Sequence, residues 1–292
     1  MTVAEFIYTV LLRPRPLRSL ANATLRRLLP ATRTLRGAVV HLNPDDPVIS
    51  GALTLGVYER DEIDFFCRHL EAGMTFVDVG ANVGLYSALA ARRLGPRGRL
   101  LSIEPDPDSL HWLHRTLAAN DGAEAPGTSL FEGAVADAPG RLTLYRNLDN
   151  RGDNRIYEDP MCDAPVTVVA STLDALADAH GLDAVDFLKI DVQGAEPKVL
   201  AGGRALLARS ADCILMSEFW PEGMRACGGD AGAYLADLEA LGFRLFEPHG
   251  RELRPIGDHA ALIERCQGRA YANLVGLKGR FSDPAGNPSV RS

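Results

Sequence analysis

The residues of this chain that could perform acid–base chemistry are carboxylates that follow short apolar runs. Lys189 and Asp191 flank Ile190 at the end of one such run. Alternate residues of a strand point to the same side, so the lysine can keep the carboxylate ionised and ready to take a proton from a hydroxyl group. We therefore predict Asp191 and Lys189 as catalytic residues, with Glu196 as a second candidate. The alternative is an ion pair that closes the sheet, with Glu196 only favouring a helix N-terminus.

A glycine-rich turn is the candidate cofactor site, and it reads Asp78-Val-Gly-Ala-Asn-Val-Gly84. Such a turn presents backbone N–H groups at a helix N-terminus. A dinucleotide site needs glycines at 80, 82 and 85, whereas this chain has Gly80, Asn82 and Leu85. S-Adenosylmethionine has no pyrophosphate and does not need the missing glycines. We predict that it contacts Asp78, Gly80, Asn82 and Gly84, with Asp78 receiving its ammonium group directly or through water.

Two further acidic residues extend the predicted cofactor site. Glu104 ends the second predicted strand, where a carboxylate can accept hydrogen bonds from both ribose hydroxyls. Glu132 lies at the third strand, near the expected position of adenine, although backbone groups near Ala134 could serve instead. We predict both glutamates as cofactor contacts.

The predicted acceptor site combines a strand end with a long polar segment. Glu218 ends the fifth strand, and Trp220 offers an apolar plate for a sugar face or a polyketide chain, or else packs over the sheet. The segment 146–165 is the one long irregular stretch, and we predict Asp153, Asn154 and Arg155 as substrate-facing lid residues. The alternative is that these three only make loop turns. Asp191 and Glu218 could also hold a divalent cation, but we predict no dedicated metal.

Alternating strands and helices must position these residues. Buried strands are predicted at 74–79, 99–103, 185–190 and 212–216, and helices at 84–94, 107–120 and 194–208. Such alternation is typical of an α/β, Rossmann-like, doubly wound and mostly parallel sheet with helices on both faces. In this fold, ligands bind beyond the carboxyl ends of the strands.

The chain resembles the FkbM family of class I methyltransferases from about Val48 to Leu277. The matching stretches are Gly56-Val-Tyr-Glu59, Val77-Asp-Val-Gly-Ala-Asn-Val-Gly-Leu-Tyr-Ser87, Glu104-Pro-Asp-Pro107, Ser171-Thr-Leu-Asp174, Leu188-Lys-Ile-Asp-Val-Gln-Gly-Ala-Glu196 and Ser217-Glu-Phe-Trp-Pro221. The resemblance implies a seven-stranded sheet with one antiparallel strand and methyl transfer to a hydroxyl of a sugar, glycolipid, polysaccharide or polyketide. Gln193 departs from the family, which usually has Glu there, and Asn154 stands where part of the family has His.

Charge and composition divide the chain into three parts. The net charge is −7, which disfavours nucleic-acid binding, yet residues 1–42 hold seven arginines against Glu5 alone. We predict a basic and helical N-terminal arm at 1–47, a methyltransferase domain at 48–279 and a disordered tail at 280–292. The arm packs on the core or contacts a membrane surface or an acidic partner. Widely spaced cysteines and the lack of a secretory signal predict a cytoplasmic protein.

The residues leave three functions open. The first is O-methylation of a glycosyl or polyketide hydroxyl, with a small molecule or a glycan as acceptor. The second is N-methylation of an amino sugar or a peptide. The third is a cofactor-binding scaffold without catalysis, which would give Asp191, Glu196 and Glu218 no reason to gather at strand ends. Asn82 and Leu85 disfavour NAD-dependent chemistry.

Overall fold

A large central sheet organises the computed structural model, which describes residues 29–148, 150–162 and 164–282. The strands are β1 (Thr32–Leu35), β2 (Ala38–His41), β3 (Thr75–Val79), β4 (Arg99–Glu104), β5 (Gly127–Glu132), β6 (Ala134–Val135), β7 (Gly140–Arg146), β8 (Ala164–Ser171), β9 (Phe187–Ile190), β10 (Cys213–Phe219), β11 (Arg244–His249), β12 (Glu252–Pro255) and β13 (Ala272–Lys278). The helices are α1 (Pro47–Leu55), α2 (Arg60–His69), α3 (Leu85–Ala91), α4 (Pro107–Ala119), α5 (Leu173–Ala179), α6 (Glu196–Gly202), α7 (Arg204–Arg209), α8 (Pro221–Ala226), α9 (Ala231–Ala240) and α10 (His259–Arg265).

The order of the central sheet is β12-β11-β13-β10-β9-β3-β4-β5. The pairs of β3 with β4, β4 with β5, β3 with β9 and β9 with β10 are parallel, whereas β13 is antiparallel to both of its neighbours. The chain runs outward from β3 to β5 and then crosses to β9, so the strand order reverses between β3 and β9. The doubly wound fold is thus confirmed, but the described sheet has eight strands rather than seven, because β12 adds a hairpin edge to β11.

Alternating side chains of the strands divide the core into two layers. Val77 and Val79 of β3 face one layer, which also contains apolar residues of α5, α6, α7 and α9. Phe76 faces the opposite layer, built mainly by α2, α3 and β2. Each of these three strand residues is 1% exposed or less, as expected for a parallel strand buried on both faces. Helices therefore cover both faces of the sheet, as predicted.

The single helix predicted at 194–208 is two helices in the structure. α6 ends at Gly202 and α7 begins at Arg204. A Cβ at Gly202 would overlap the carbonyl oxygen of Ala136, and a Cβ at Gly203 would lie 2.8 Å from Cδ2 of Leu173. The glycine pair therefore lets this segment approach its neighbours closely, an approach that helical periodicity cannot reveal.

A small second sheet carries the loop that covers the functional edge. Its order is β6-β8-β7, and β7 and β8 form a long antiparallel pair. The described residues between β7 and β8 are 147–148 and 150–162. They include a 3₁₀ turn at Arg151–Asp153. The predicted irregular segment at 146–165 therefore stands between two paired strands that fix both of its ends.

The predicted helical arm is wrong for residues 32–41, which form the hairpin β1–β2. Arg36 and Gly37 both have positive φ angles, of 49° and 84°, as a two-residue hairpin turn requires. Val40 and Leu42 are each only 1% exposed, so the core begins before the predicted boundary at 47. Residues 1–28, with most of the predicted arm, lie outside the described residues.

The predicted disordered tail at 280–292 is wrong for its first residues. Gly279–Phe281 form a 3₁₀ turn, and the Phe281 side chain is 4% exposed because it packs on the core. Residues 283–292 lie outside the described residues. Among the described helices, none is both long and apolar enough to cross a membrane.

Asn120 fixes the hairpin to the helical layer, and its replacement tests that attachment. Its Oδ1 accepts from the backbone N–H of Val39 at 3.0 Å, and its Nδ2 donates to the Val39 carbonyl at 2.6 Å. Asn120→Ala leaves these backbone groups unpaired, so we expect the free energy of unfolding in urea to fall by about 2 kcal/mol. Glu124→Ala, at an exposed position nearby, should change it by less than about 0.5 kcal/mol. Equal values for both variants would contradict this role.

Candidate active site

A cavity of about 540 Å³ lies at the carboxyl ends of the central strands. Its walls come from the turns after β3, β4, β9 and β10, from the segment before α2 and from the loop 150–156. The residues that matter for the chemistry are Glu59, Gly80, Asn82, Glu104, Arg155, Lys189, Asp191, Gln193, Glu218 and Trp220. The cavity sits where the strand order reverses, which is the position expected for the ligand of such a sheet.

The glycine-rich turn after β3 has a backbone that only glycine can supply at two positions. Gly80 and Gly84 have φ angles of +84° and +87°. A Cβ at Gly80 would overlap the carbonyl oxygen of Asp191, and a Cβ at Gly84 would lie 2.6 Å from Cδ1 of Leu113. Gly80 therefore permits contact with the turn after β9. Gly84 instead permits contact between α3 and α4 and does not line the cavity, so its predicted contact with the cofactor does not fit this placement.

Glu104 is locked to the glycine-rich turn. Its Oε2 accepts from the backbone N–H of Asn82 at 2.8 Å, and its Oε1 accepts from the backbone N–H of Asp106 at 2.8 Å. Burial raises the pKa of Glu104 to about 8, although both N–H donors act in the opposite direction. Glu104 and Asn82 both line the cavity, as predicted for cofactor contacts. The Oδ1 of Asn82 is buried without a hydrogen-bond partner.

Asp78 lies behind the cavity wall rather than on it. Its Oδ2 accepts from the Ser87 hydroxyl at 2.7 Å, and Ser87 also bonds Ser102 at 2.7 Å. The other oxygen, Oδ1, is buried with no hydrogen-bond partner. The predicted direct contact of Asp78 with a ligand therefore does not fit this placement, in which the carboxylate joins β3 to α3 and β4.

Asp191 stands at the centre of a polar cluster that the sequence predicted in part. Its Oδ2 accepts from Lys189 Nζ at 3.1 Å, and its Oδ1 accepts from Gln193 Nε2 at 3.0 Å. The same amide nitrogen of Gln193 donates to Oε2 of Glu218 at 2.8 Å. Burial and the charge of Asp191 raise the pKa of Glu218 well above its usual range. The structure thus brings Lys189, Asp191 and Glu218 together, with Gln193 as the link that was not assigned to the site.

Glu59 joins this cluster although it was quoted only as part of a resemblance. Its Oε2 accepts from the Tyr86 hydroxyl at 2.7 Å, and Lys189 Nζ lies 4.9 Å from the centre of the Tyr86 ring. Burial raises the pKa of Glu59 to about 7, and the charge of Lys189 opposes this rise. The stretch that contains Glu59 precedes the first central strand by 16 residues, so no local pattern connects it with Asp191.

Glu196 is buried away from the cavity, which corrects its predicted catalytic role. Its Oε1 accepts from the backbone N–H of Val192 at 3.1 Å, and its Oε2 accepts from that of Gly194 at 3.0 Å. The residue has no exposed surface, and burial raises its pKa to about 7. Glu196 therefore shapes the turn after β9, and a group without access to the cavity cannot exchange a proton with an acceptor there.

Glu132 is also placed differently from its prediction. Its side chain is 56% exposed and lies 2.8 Å from Nε2 of His114 on α4, outside the cavity. A carboxylate at the end of β5 can point to either side of the sheet edge, and this one points to solvent. Gly133, Ala134 and Val135 line the cavity instead, in agreement with the alternative that backbone groups near Ala134 serve.

The loop residues predicted to face the substrate do line the cavity, but they also hold one another. Arg155 Nη2 pairs with Oδ1 of Asp153 at 2.7 Å, and its guanidinium lies 4.7 Å from the centre of the Trp220 ring. Asn154 Oδ1 accepts from the backbone N–H of Asn147 at 2.9 Å. Trp220 is 9% exposed, so it both packs and forms part of the wall.

Arg151, which the sequence did not single out, anchors this loop over the glycine-rich turn. Its Nη2 lies 2.9 Å from Oδ2 of Asp108 on α4, and its backbone N–H donates to Oδ2 of Asp46 at 3.2 Å. Asp46 is the N-cap of α1, and burial raises its pKa to about 6. The loop is thereby fixed to α1 and α4 at the same point.

The strand order with antiparallel β13, the glycine-rich turn and the carboxylate at the end of β4 together define a class I, Rossmann-like methyltransferase fold. A model of the methyltransferase FkbM domain matches residues 78–245. The chain belongs to the FkbM methyltransferase family.

Two curated relatives and one solved structure illustrate this similarity. AMB antimetabolite synthetase AmbE of Pseudomonas aeruginosa is 32% identical over 240 residues, which cover 70% of this chain and 11% of that protein. The 2-O-methyltransferase NoeI of Sinorhizobium fredii is 29% identical over 149 residues, which cover 46% of this chain and 59% of that protein. The crystal structure of methyltransferase FkbM from Methylobacillus flagellatus is 14% identical with a TM-score of 0.42, covering 89% of this chain and 59% of that one. The chain thus spans less than two thirds of each of these proteins.

The contact of Gly80 with Asp191 can be tested with a matched pair of alanine variants. Gly95 also has a positive φ angle, of +64°, but a Cβ there would meet nothing within 4 Å. Gly95→Ala should therefore cost only the left-handed strain, about 1 kcal/mol, whereas Gly80→Ala adds a backbone clash and should cost about 3 kcal/mol. Urea unfolding of both variants measures the difference. Similar losses of stability in the two variants would show that the turn after β3 and the turn after β9 are not held in contact.

The raised pKa of Glu104 makes stability depend on pH. A carboxyl whose pKa rises on folding, here from 4.5 to about 8, stabilises the folded state below pH 4.5 and loses that contribution as the pH rises through about 8. Glu104→Gln cannot ionise, so its stability relative to the wild type should increase steadily between about pH 5 and 8. Urea unfolding of both proteins at a series of pH values tests this. A difference that stays constant with pH would contradict it.

Proposed function

We propose that this chain is an S-adenosylmethionine-dependent O-methyltransferase that acts on a hydroxyl of a sugar, a glycolipid, a polysaccharide or a polyketide-type product. The observation that carries the proposal is the position of Asp191. Its side chain lies on the cavity wall and is 27% exposed, and its own backbone carbonyl touches the glycine-rich turn. A proton acceptor therefore stands next to the predicted cofactor site.

The residues of the cavity fit the cofactor. Gly80 and Asn82 of the glycine-rich turn line the cavity, and Glu104 at the next strand end has further lone pairs for the ribose hydroxyls. The buried Oδ1 of Asn82, which lines the cavity, has no hydrogen-bond partner, so polar capacity remains on this turn. When bound, the cofactor supplies an electrophilic methyl group. Gly80, Asn82 and Glu104 are the lining residues that would hold it.

The chain's own contribution to the reaction is orientation and removal of a proton. The acceptor hydroxyl binds at Asp191, whose carboxylate takes the proton that the oxygen loses as it forms its new bond to carbon. Lys189 supports the ionised form of Asp191, because its Nζ lies 3.1 Å from the carboxylate Oδ2. Burial acts to lower the pKa of Lys189, but the charge of Asp191 raises it and the net effect is a rise. Loop residues at 150–156 narrow the cavity and limit the access of water.

The electrostatics of the cavity favour a hydroxyl over an amine as the acceptor. Asp191, Glu59 and Glu218 lie on the same part of the wall, with Lys189 as their cationic neighbour. Such a cluster stabilises the protonated form of an amine, which has no lone pair for attack. A hydroxyl needs a nearby base instead. The relative NoeI is named a 2-O-methyltransferase, which supports the same choice.

The wall also fits a polyol or an extended ring system. Trp220 offers an apolar surface whose indole N–H is already bonded to the Gly268 carbonyl at 2.7 Å. Arg155 lies over that ring, and Glu218 stands beside it as a polar group. An apolar plate with flanking polar groups suits a sugar, because each face of a sugar ring exposes C–H groups and its rim exposes hydroxyls.

Binding of S-adenosylhomocysteine separates methyl transfer from the other functions. We expect calorimetry of the full chain to show binding of this demethylated product of the cofactor and none of NAD, because Asn82 and Leu85 replace the glycines that a pyrophosphate needs. Failure to bind S-adenosylhomocysteine would sink the proposal. Binding without transfer of label from methyl-labelled cofactor to any sugar, glycolipid or macrolide in a panel would favour the scaffold alternative.

Replacement of Asp191 tests the proposed base. Asp191→Asn keeps the size of the side chain but cannot take a proton, so we expect turnover to fall about a hundred-fold or more. The affinity for S-adenosylhomocysteine should stay within about twofold of the wild type. Asp183→Asn, at an exposed position before the opposite end of β9, is the control and should retain full turnover. Normal turnover of Asp191→Asn would remove this residue from the mechanism.

A further inference from the structure

The turn after β9 has an unusual backbone at Gln193. Its φ angle is +54°, in a region that residues other than glycine rarely adopt. The neighbouring Gly194 also has a positive φ angle, of +101°. Glu196 holds both sides of Gln193, because its two oxygens accept from the backbone N–H groups of Val192 and Gly194. A buried carboxylate therefore enforces a strained conformation at a residue that lines the cavity.

The side chain of Gln193 shows what this conformation achieves. One amide nitrogen, Nε2, donates to Oδ1 of Asp191 at 3.0 Å and to Oε2 of Glu218 at 2.8 Å. An amide NH₂ group has two hydrogens, so it can satisfy both carboxylates at once. A glutamate at this position, when ionised, could donate to neither and would add a third negative charge.

We propose that Gln193 is a positioning residue whose single amide group joins the two cavity carboxylates, so that Asp191 acts as the base and Glu218 as a hydrogen-bonding group for the acceptor. This inference rests on the proposed function, since it assigns roles within the same site. Asp191 receives two donors, Gln193 and Lys189, whereas Glu218 receives the single donor Gln193.

Two carboxylates this close would otherwise repel each other or share a proton, and a shared proton would block the base. The amide of Gln193 donates a hydrogen bond to each carboxylate, as a shared proton would, but it leaves the charge of the pair unchanged. Burial and the charge of Asp191 raise the pKa of Glu218, and the hydrogen bond from Gln193 acts in the opposite direction. Asp191 keeps its lysine partner and stays available for the hydroxyl proton.

Other groups act on this pair from the surrounding elements, and any titration must account for them. The acidic neighbours raise the proton affinity of the pair, and Lys189 on β9 lowers it. The groups concerned are Tyr58 and Glu59 before α2, Asp78 on β3, Lys189 on β9, Glu196 on α6 and Tyr271 before β13. These groups are the same in wild-type protein and in Gln193 variants, so a difference between the two reports on the amide.

The test is a titration of the side-chain carboxyl carbons by NMR, on the full chain labelled in Asp and Glu. Signals are assigned with Asp191→Asn and Glu218→Gln. We expect Gln193→Leu to move the titration midpoints of both carboxylates upward by about one pH unit, since each loses a hydrogen bond to a charged group. Gln193→Glu should move them further, because it also adds charge. Gln267→Leu, at the other and exposed glutamine, should move neither.

A second variant guards against misfolding. Gln193→Gly removes the amide as Leu does, but it relieves the left-handed backbone, so strain cannot unfold it. It should give the same upward movement as Gln193→Leu. Midpoints unchanged in both variants would overturn the inference, as would a movement of one carboxylate alone, because the amide would then not be shared.

The outcomes also distinguish this inference from the proposed function. If wild-type protein fails to bind S-adenosylhomocysteine while both midpoints move, the proposed function fails and the shared amide stands. If wild-type protein binds S-adenosylhomocysteine and transfers label but the midpoints do not move, methyl transfer stands and Gln193 is only a turn residue.

Discussion

The cavity depends on a backbone contact between the turns that follow β3 and β9. The Asp191 carbonyl lies where a side chain at position 80 would be, and the Asp191 N–H donates to the Val79 carbonyl at 3.0 Å. The first turn holds the cofactor in our proposal, and the second carries the base. In our proposal, this contact fixes the position of the base relative to the cofactor, and rigid placement of this kind favours catalysis.

A second constraint is the charge that this contact concentrates. Asp191, Glu218 and Glu59 approach one another because their strands and turns meet at one edge of the sheet, and burial raises the pKa of the two glutamates. Lys189 and Gln193 both donate hydrogen bonds to Asp191, the first from a charged ammonium group and the second from a neutral amide.

The loop that covers the cavity is tied to the fold through the start of α1. Oδ1 of Asp46 accepts from the N–H groups of Val48 and Ile49, which begin this helix, while its Oδ2 accepts from the N–H of Arg151. One buried carboxylate thus orders both the helix and the loop. Gly152 lets the loop pack closely on α1, because a Cβ there would lie 2.6 Å from Cδ1 of Ile49. The wall of the cavity therefore includes chain from well before the first central strand.

The sequence by itself determined the parallel α/β fold, the glycine-rich turn, Glu104 and the pair Lys189 and Asp191. These features are local, because apolar runs, glycine spacing and alternation along one strand express contacts between near neighbours in the chain. It missed the hairpin at 32–41, the eighth strand and the break after Gly202, where packing against distant segments decides the backbone.

Only the tertiary structure decided which carboxylates share the cavity. Glu59 and Glu218 meet Asp191 across a large sequence separation, whereas Glu196, only five residues from Asp191, turns inward to bond the backbone. Glu132 points to solvent beside His114 for a similar reason, since nothing in its own strand specifies the side it takes. Sequence spacing places a residue at a strand end, but the direction of its side chain is set by the groups that compete for it in three dimensions.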